Sequence, residues 1–176
     1  MKLRHALIAT ATAVALVAAP SIAAGPAQAA PEKASGTTLI SFKKEYAGIF
    51  KLVAPVKPAK FVNSQLTFPV TGVDGDEVLH SGGIKISNTK FMNPTITVNA
   101  DKKRAAITME FEDGSIPVFY AKHFKIKADG VGGQVWQGNL HLTKNKTVVE
   151  TLNLLLGVES LTPGLGLGQI RVTIRK

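Results

Sequence analysis

The chain has 176 residues, a formal net charge of +9, a hydrophobic fraction of 45% and no cysteine. The missing cysteines exclude disulfide staples, zinc–thiolate centres, iron–sulfur clusters and cysteine nucleophiles, so stability has to come from an apolar core. The positive balance favours an anionic partner such as cell-envelope components, but lysines scattered in pairs without interleaved aromatics argue against nucleic acid.

The first stretch has the form of a secretory leader. Lys2, Arg4 and His5 precede the apolar run ALIATATAVALVAA, and Ala27-Gln28-Ala29 offers a small-x-small cleavage site before Ala30. A membrane-spanning helix would need about 20 apolar residues and a stop-transfer pattern. No cysteine follows the run, which excludes a lipoprotein-type anchor. The expectation is a secreted protein with residues 1–29 removed, 30–36 a flexible start, and 37–176 a single β-rich domain. Removal of Lys2 and Arg4 takes two charges off the +9.

SFKKEYAGIFKLV places Phe42, Tyr46, Ile49 and Val53 at helical spacing, with Ser41 as N-cap and the prolines of APVKP as terminator. Beyond it the period changes to two. SQLTFPV reads as a strand whose Pro69 belongs at an edge or an end. Next, VDGDEV reads as a turn, because it lacks the ligand spacing of a calcium loop. PTITVNA alternates, and RAAITMEFEDGSIPVFYAKHFKIKA reads as a hairpin turning at Asp113-Gly114. ADGVGG is a further turn before the strand QVWQGNLHLT. LTKNKTVVETLNLLLG carries an apolar helical stripe, Val148, Val149, Leu152, Leu155 and Leu156, capped by Thr143 or Thr147 and closed by Gly157. GQIRVTIRK ends the chain as a strand, with Ile170, Val172 and Ile174 opposite Arg171, Thr173 and Arg175. The fold class is therefore mainly β: an antiparallel β-sandwich or partly closed barrel with two short helices.

Alternation along strands sorts the histidines. His123 lies opposite Phe124 and Ile126, and His141 lies opposite Leu140 and Leu142, so both point to solvent. His80, in LHSGGIKI, shares the apolar face of Val78, Ile84 and Ile86 if the strand is unbroken, although a bulge at Gly82-Gly83 would shift that register. It is either a half-buried histidine bonded to backbone or a ligand group, with the two glycines leaving room for a flat molecule. Tyr46, in the middle of the first stripe, either packs in the core or presents its phenol at a helix–sheet junction. TPGLGLGQI precedes a strand and so does not cradle phosphate. With no nucleophile elbow and no paired carboxylates about a cleft, the chain does not read as an enzyme.

LTFPVTG…LHSGGIKI…NPTITVNADKKRAAITMEF resembles the central part of secreted actinobacterial domains of the HtaA type. SFKKEY is similar to the Ser-Phe-x-x-Tyr stretch near their start, and HLTKNKTVVETLNLLLG…PGLGLGQIRV looks like the end of a related actinobacterial group. HtaA domains are β-rich modules that bind or relay heme at the cell surface. The resemblance implies heme as cofactor, its iron bound by Tyr46, with a histidine, His80, hydrogen-bonded to the phenol. The alternative is a basic, envelope-associated structural or interaction domain without heme. An apolar small-molecule carrier is a third reading, one that would not need Tyr46.

Overall fold

The structure, a computed structural model, describes residues 30–112 and 114–175. The expected leader and Asp113 lie outside the described residues. The strands are β1 (Glu32–Lys33), β2 (Ser35–Phe42), β3 (Val53–Val56), β4 (Lys60–Val62), β5 (Gln65–Asp74), β6 (Glu77–His80), β7 (Gly83–Ile86), β8 (Thr89–Val98), β9 (Arg104–Phe111), β10 (Gly114–Ala128), β11 (Gln134–Leu142) and β12 (Gly166–Arg175). Two helices accompany them, α1 (Ala47–Phe50) and α2 (Lys146–Leu156).

Eight of the strands close into an antiparallel barrel in the order β2-β5-β6-β8-β9-β10-β11-β12. The circle is completed by β12 against β2, from Gly168↔Phe42 to Arg175↔Ser35. Closure removes the unpaired edges that a sandwich would have to cover, so the barrel replaces the sandwich among the expected architectures. β4 and β1 pair with β5 outside the circle, and β3 and β7 extend the Thr89 end of β8. Residues 30–36, expected as a flexible start, include β1 and the beginning of β2.

Alternation put the right residues inside. Ile170, Val172 and Ile174 are buried, as are Trp136, Leu140 and Leu142, while Arg171 and Arg175 are exposed. Pro69 is the last β5 residue paired with β2. From Val70 the strand pairs with β6, and Thr71 is bulged out. The residue that cannot donate thus sits where the strand changes partners. On α2, Val149, Leu152 and Leu156 are buried, and Gly157 ends the helix in the left-handed region at φ 66°. Its cap is neither Thr143 nor Thr147: the Asn145 side chain accepts from the Val148 amide. Thr143 is buried and accepts from the Asn145 amide instead.

The first helix differs more. Ser41 and Phe42 belong to β2, one 3-10 turn covers Lys44–Tyr46, and α1 is a single turn, with Val53 already in β3. No side chain caps it. Phe42 stacks on Phe50 with centroids 3.8 Å apart, so the helical spacing registered a strand–turn–strand reversal with one apolar side.

Gly82 and Gly83 do not make room for a ligand. Gly82 adopts φ 86°, and a Cβ there would lie 2.7 Å from the Ala59 nitrogen; one on Gly83 would run into the Phe91 carbonyl. The two glycines allow backbone to cross backbone where the chain leaves the barrel. Gly82→Ala should therefore cost about 2–4 kcal/mol, from left-handed strain plus the clash. Gly75→Ala, at φ 56° in open space, should cost only about 1 kcal/mol. Urea unfolding midpoints of the two variants check this.

Candidate functional site

His80 ends β6 and points into the barrel, 5% exposed. Both ring nitrogens are engaged. The Pro94 carbonyl can only accept, so Nδ1 carries the proton and donates to it at 2.7 Å, while the Thr38 hydroxyl donates to Nε2 at 2.6 Å. Phe68 meets the ring edge-on, with centroids 6.5 Å apart. The imidazole therefore bridges β2, β6 and β8 as a satisfied neutral tautomer. Burial lowers its pKa from 6.5 to about 4, against the opposing pull of the backbone bonds at Pro94 and Val78. The cavity beside it, lined by Thr38, Phe68, His80, Met109 and Phe119 among others, measures only ≈ 10 Å³. That is room for a water at most, so the barrel interior does not fit a heme.

Tyr46 is at the pole of the barrel that carries α1 and α2. It is half-buried against the core, and the Lys43 ammonium lies 5.9 Å from its ring centroid. Among the described residues its hydroxyl has no hydrogen-bond partner. The structure therefore does not join Tyr46 to His80: both nitrogens of the histidine are spent elsewhere.

Another histidine stands near Lys43. His141, at the end of β11, is half-buried and stacks on Tyr120, with centroids 5.1 Å apart and planes 17° apart. Its Nδ1 donates to the Gly164 carbonyl at 3.2 Å, leaving Nε2 with a free lone pair. The Tyr120 hydroxyl is buried with no protein partner. Lys43 and His141 line one cleft of ≈ 320 Å³ with Asn139, Leu140, Gly166, Gly168 and Gln169, a size typical of small-molecule sites. Alternation had assigned His141 to the outer face correctly. Its rim position depends on the pairing Tyr120↔His141↔Gly166, which no local pattern announces.

Asp74, Asp76 and Glu77 form a turn, as expected, with Gly75 at φ 56° and Glu77 accepting from Thr97. No cluster of three or more potential metal-ligating side chains occurs among the described residues. Nor is any helix among them long and apolar enough to cross a membrane.

His80 gives the molecule a pH dependence whose sign follows from its lowered pKa. Below pH 6.5 the unfolded chain takes up a proton that the folded one refuses until about pH 4, so stability falls as the pH drops through that window. The loss attributable to His80 between pH 7 and pH 4 should be about 3 kcal/mol. Urea unfolding of the wild type and of His80→Gln across this range should differ in slope by that amount, whereas parallel curves would contradict the neutral buried ring.

The solved structure of the heme-binding protein HtaB from Corynebacterium glutamicum is similar to this one, with a TM-score of 0.57 and 14% identity over 81% of this chain and 93% of that one. No protein-family model matches the chain, and no curated protein does. At that identity the likeness is one of fold.

Proposed function

We propose that the protein is a secreted, non-enzymatic heme-binding domain that holds the macrocycle at the α1–α2 pole of its barrel. The observation that carries this reading is the free phenol of Tyr46, half-buried beside the Lys43 ammonium, on a fold shared with a heme-binding protein. When bound, ferric heme supplies a Lewis acid for a phenolate and a flat apolar surface. Tyr46 holds the iron. Lys43, which pairs with Glu45 at 3.6 Å, is placed to meet a propionate. The histidine at this pole is His141, whose open Nε2 takes over the tuning role that the family resemblance implied for His80. His80 serves the site indirectly, by keeping the barrel closed beneath it.

A second reading, an envelope-associated domain without heme, is favoured by a separate observation: the cationic outer wall of β2, β12, β11 and β10, whose groove is lined by no carboxylate.

Titration of the purified protein with hemin should give a saturable visible spectrum with a charge-transfer band. Tyr46→Phe should abolish the band, and His141→Ala should shift it. His80→Gln should leave it in place at neutral pH. A featureless titration, identical in wild type and Tyr46→Phe, would remove the heme reading. Export is checked separately, by N-terminal sequencing of protein recovered outside the cells, which should begin at Ala30.

A further inference from the structure

An open concavity lies on the outside of the barrel, on the face opposite His80, and adjoins the Lys43–His141 cleft, with which it shares Asn139 and Gln169. A groove of ≈ 430 Å³ runs across β2, β12, β11 and β10, lined by Leu39, Ser41, Gly138 and Ile170 together with six polar side chains: His123, Lys125, Gln137, Asn139, Gln169 and Arg171.

Register makes this an ordered surface. Lys125, Gln137, Arg171 and Leu39 are direct cross-strand partners in one row, and Lys122, Asn139, Gln169 and Ser41 form the next. Residues directly opposite one another project from the same face. The first row runs cation, amide, cation, apolar and the second cation, amide, amide, hydroxyl, at the spacing of neighbouring strands, ~4.8 Å.

A bulge adds a basic side chain to this face. Between Lys122 and Lys125 the pairing slips, and His123 takes φ 52°, a conformation uncommon outside glycine. Regular alternation from Lys122 would have turned His123 inward and Phe124 outward. With the extra residue, Phe124 is buried, edge-on to Trp136, and His123 joins Lys122 and Lys125 outside. The cost of a strained non-glycine backbone here concentrates three basic side chains along the border of the groove.

These groups are uncommitted. The side chains of His123, Lys125, Gln137, Asn139, Gln169 and Arg171 make no hydrogen bond or ion pair among the described residues, and the Lys43–Glu45 pair lies at the rim. No carboxylate lines the groove to neutralise them.

We propose that this wall binds an acidic polysaccharide, a polyol chain carrying carboxylate or phosphate groups. Arg171, Lys125 and His123 meet the anionic groups, Arg171 with the planar fork suited to a carboxylate or phosphate. Gln137, Asn139 and Gln169 each present donors and an acceptor in one plane, which suits vicinal hydroxyls. A stacking platform for bases is missing, since no aromatic side chain but the His123 ring lines the groove, and this disfavours single-stranded nucleic acid. Leu39 and the buried Ile170 are the only apolar side chains that line the groove, too little for insertion into lipid.

The test is calorimetric titration of the purified protein with four polymers of similar length: oligogalacturonate, poly(glycerol phosphate), neutral dextran and a single-stranded DNA oligomer. Saturable binding of one or both acidic polyols, tighter than that of DNA and absent with dextran, is the expected result. The polymer bound distinguishes a carboxylate from a phosphate source. Arg171→Ala and the uncharged Gln137→Ala should each weaken binding about tenfold. Lys90→Ala, which removes an exposed charge from β8, should leave it unchanged. No binding to either acidic polyol, DNA bound at least as tightly, or an equal loss with Lys90→Ala would overturn the proposal. Tyr46→Phe should bind the polymer normally, so this result and the hemin result can fail independently.

Discussion

The pairing of β12 with β2 holds the molecule together. Eight consecutive residue pairs, from Gly168↔Phe42 to Arg175↔Ser35, join the last strand to the first long one. Without them the sheet would have two open edges. With them every inward side chain meets others across the barrel, and a core of Ile40, Ile96, Ile107, Leu140 and Ile170 excludes ligands. Closure costs the loop entropy of bringing residues more than a hundred positions apart into register. The apolar area buried inside offsets that cost, with no disulfide to help, since the chain has no cysteine.

A full interior also settles what a buried polar group can do. His80 is bound to Thr38 on β2 and to Pro94 on β8, so its polar atoms link three strands of the ring. Such a group rewards one arrangement of the strands and penalises others, because a shifted register would leave imidazole, hydroxyl and carbonyl unpaired in an apolar space. Chemistry is therefore displaced to the poles and the outer wall, where Tyr46, His141 and Arg171 keep polar atoms uncommitted.

Most of this architecture was legible in the sequence because a half-buried strand writes its two faces into alternate residues. Ile170, Val172 and Ile174 were assigned inward on that ground, His123 and His141 outward, and His80 inward. Each assignment matches the structure. The stripe of α2 was equally clear. Closure was not, because Ser35–Phe42 and Gly166–Arg175 carry no mutual signal, and a sandwich has the same alternation. The first helix was legible but read too long, from Ser41 to Val53, because Phe42 and Phe50 stack across a reversal of the chain and extend the helical period into the flanking strands. The site was legible in part. Parity gave the burial of His80, and a backbone partner was among its expected readings; the Thr38 hydroxyl was not. The glycines beside it were read as space although they mark a backbone crossing. The surroundings of His141 were not legible, because Tyr120 and Lys43 reach it only through tertiary pairing.

The same antiparallel closure fixes how the molecule would stand on anything attached to it. Ser35 and Arg175 are direct partners, so the polypeptide enters and leaves the barrel at one pole. β2 then runs the height of the barrel before the chain reaches Tyr46 at the other. A tether, a fused module or a docking partner joined at either terminus would hold the barrel upright. The Tyr46 pole would then be farthest from the attachment point, and the cationic wall would face sideways along the supporting surface.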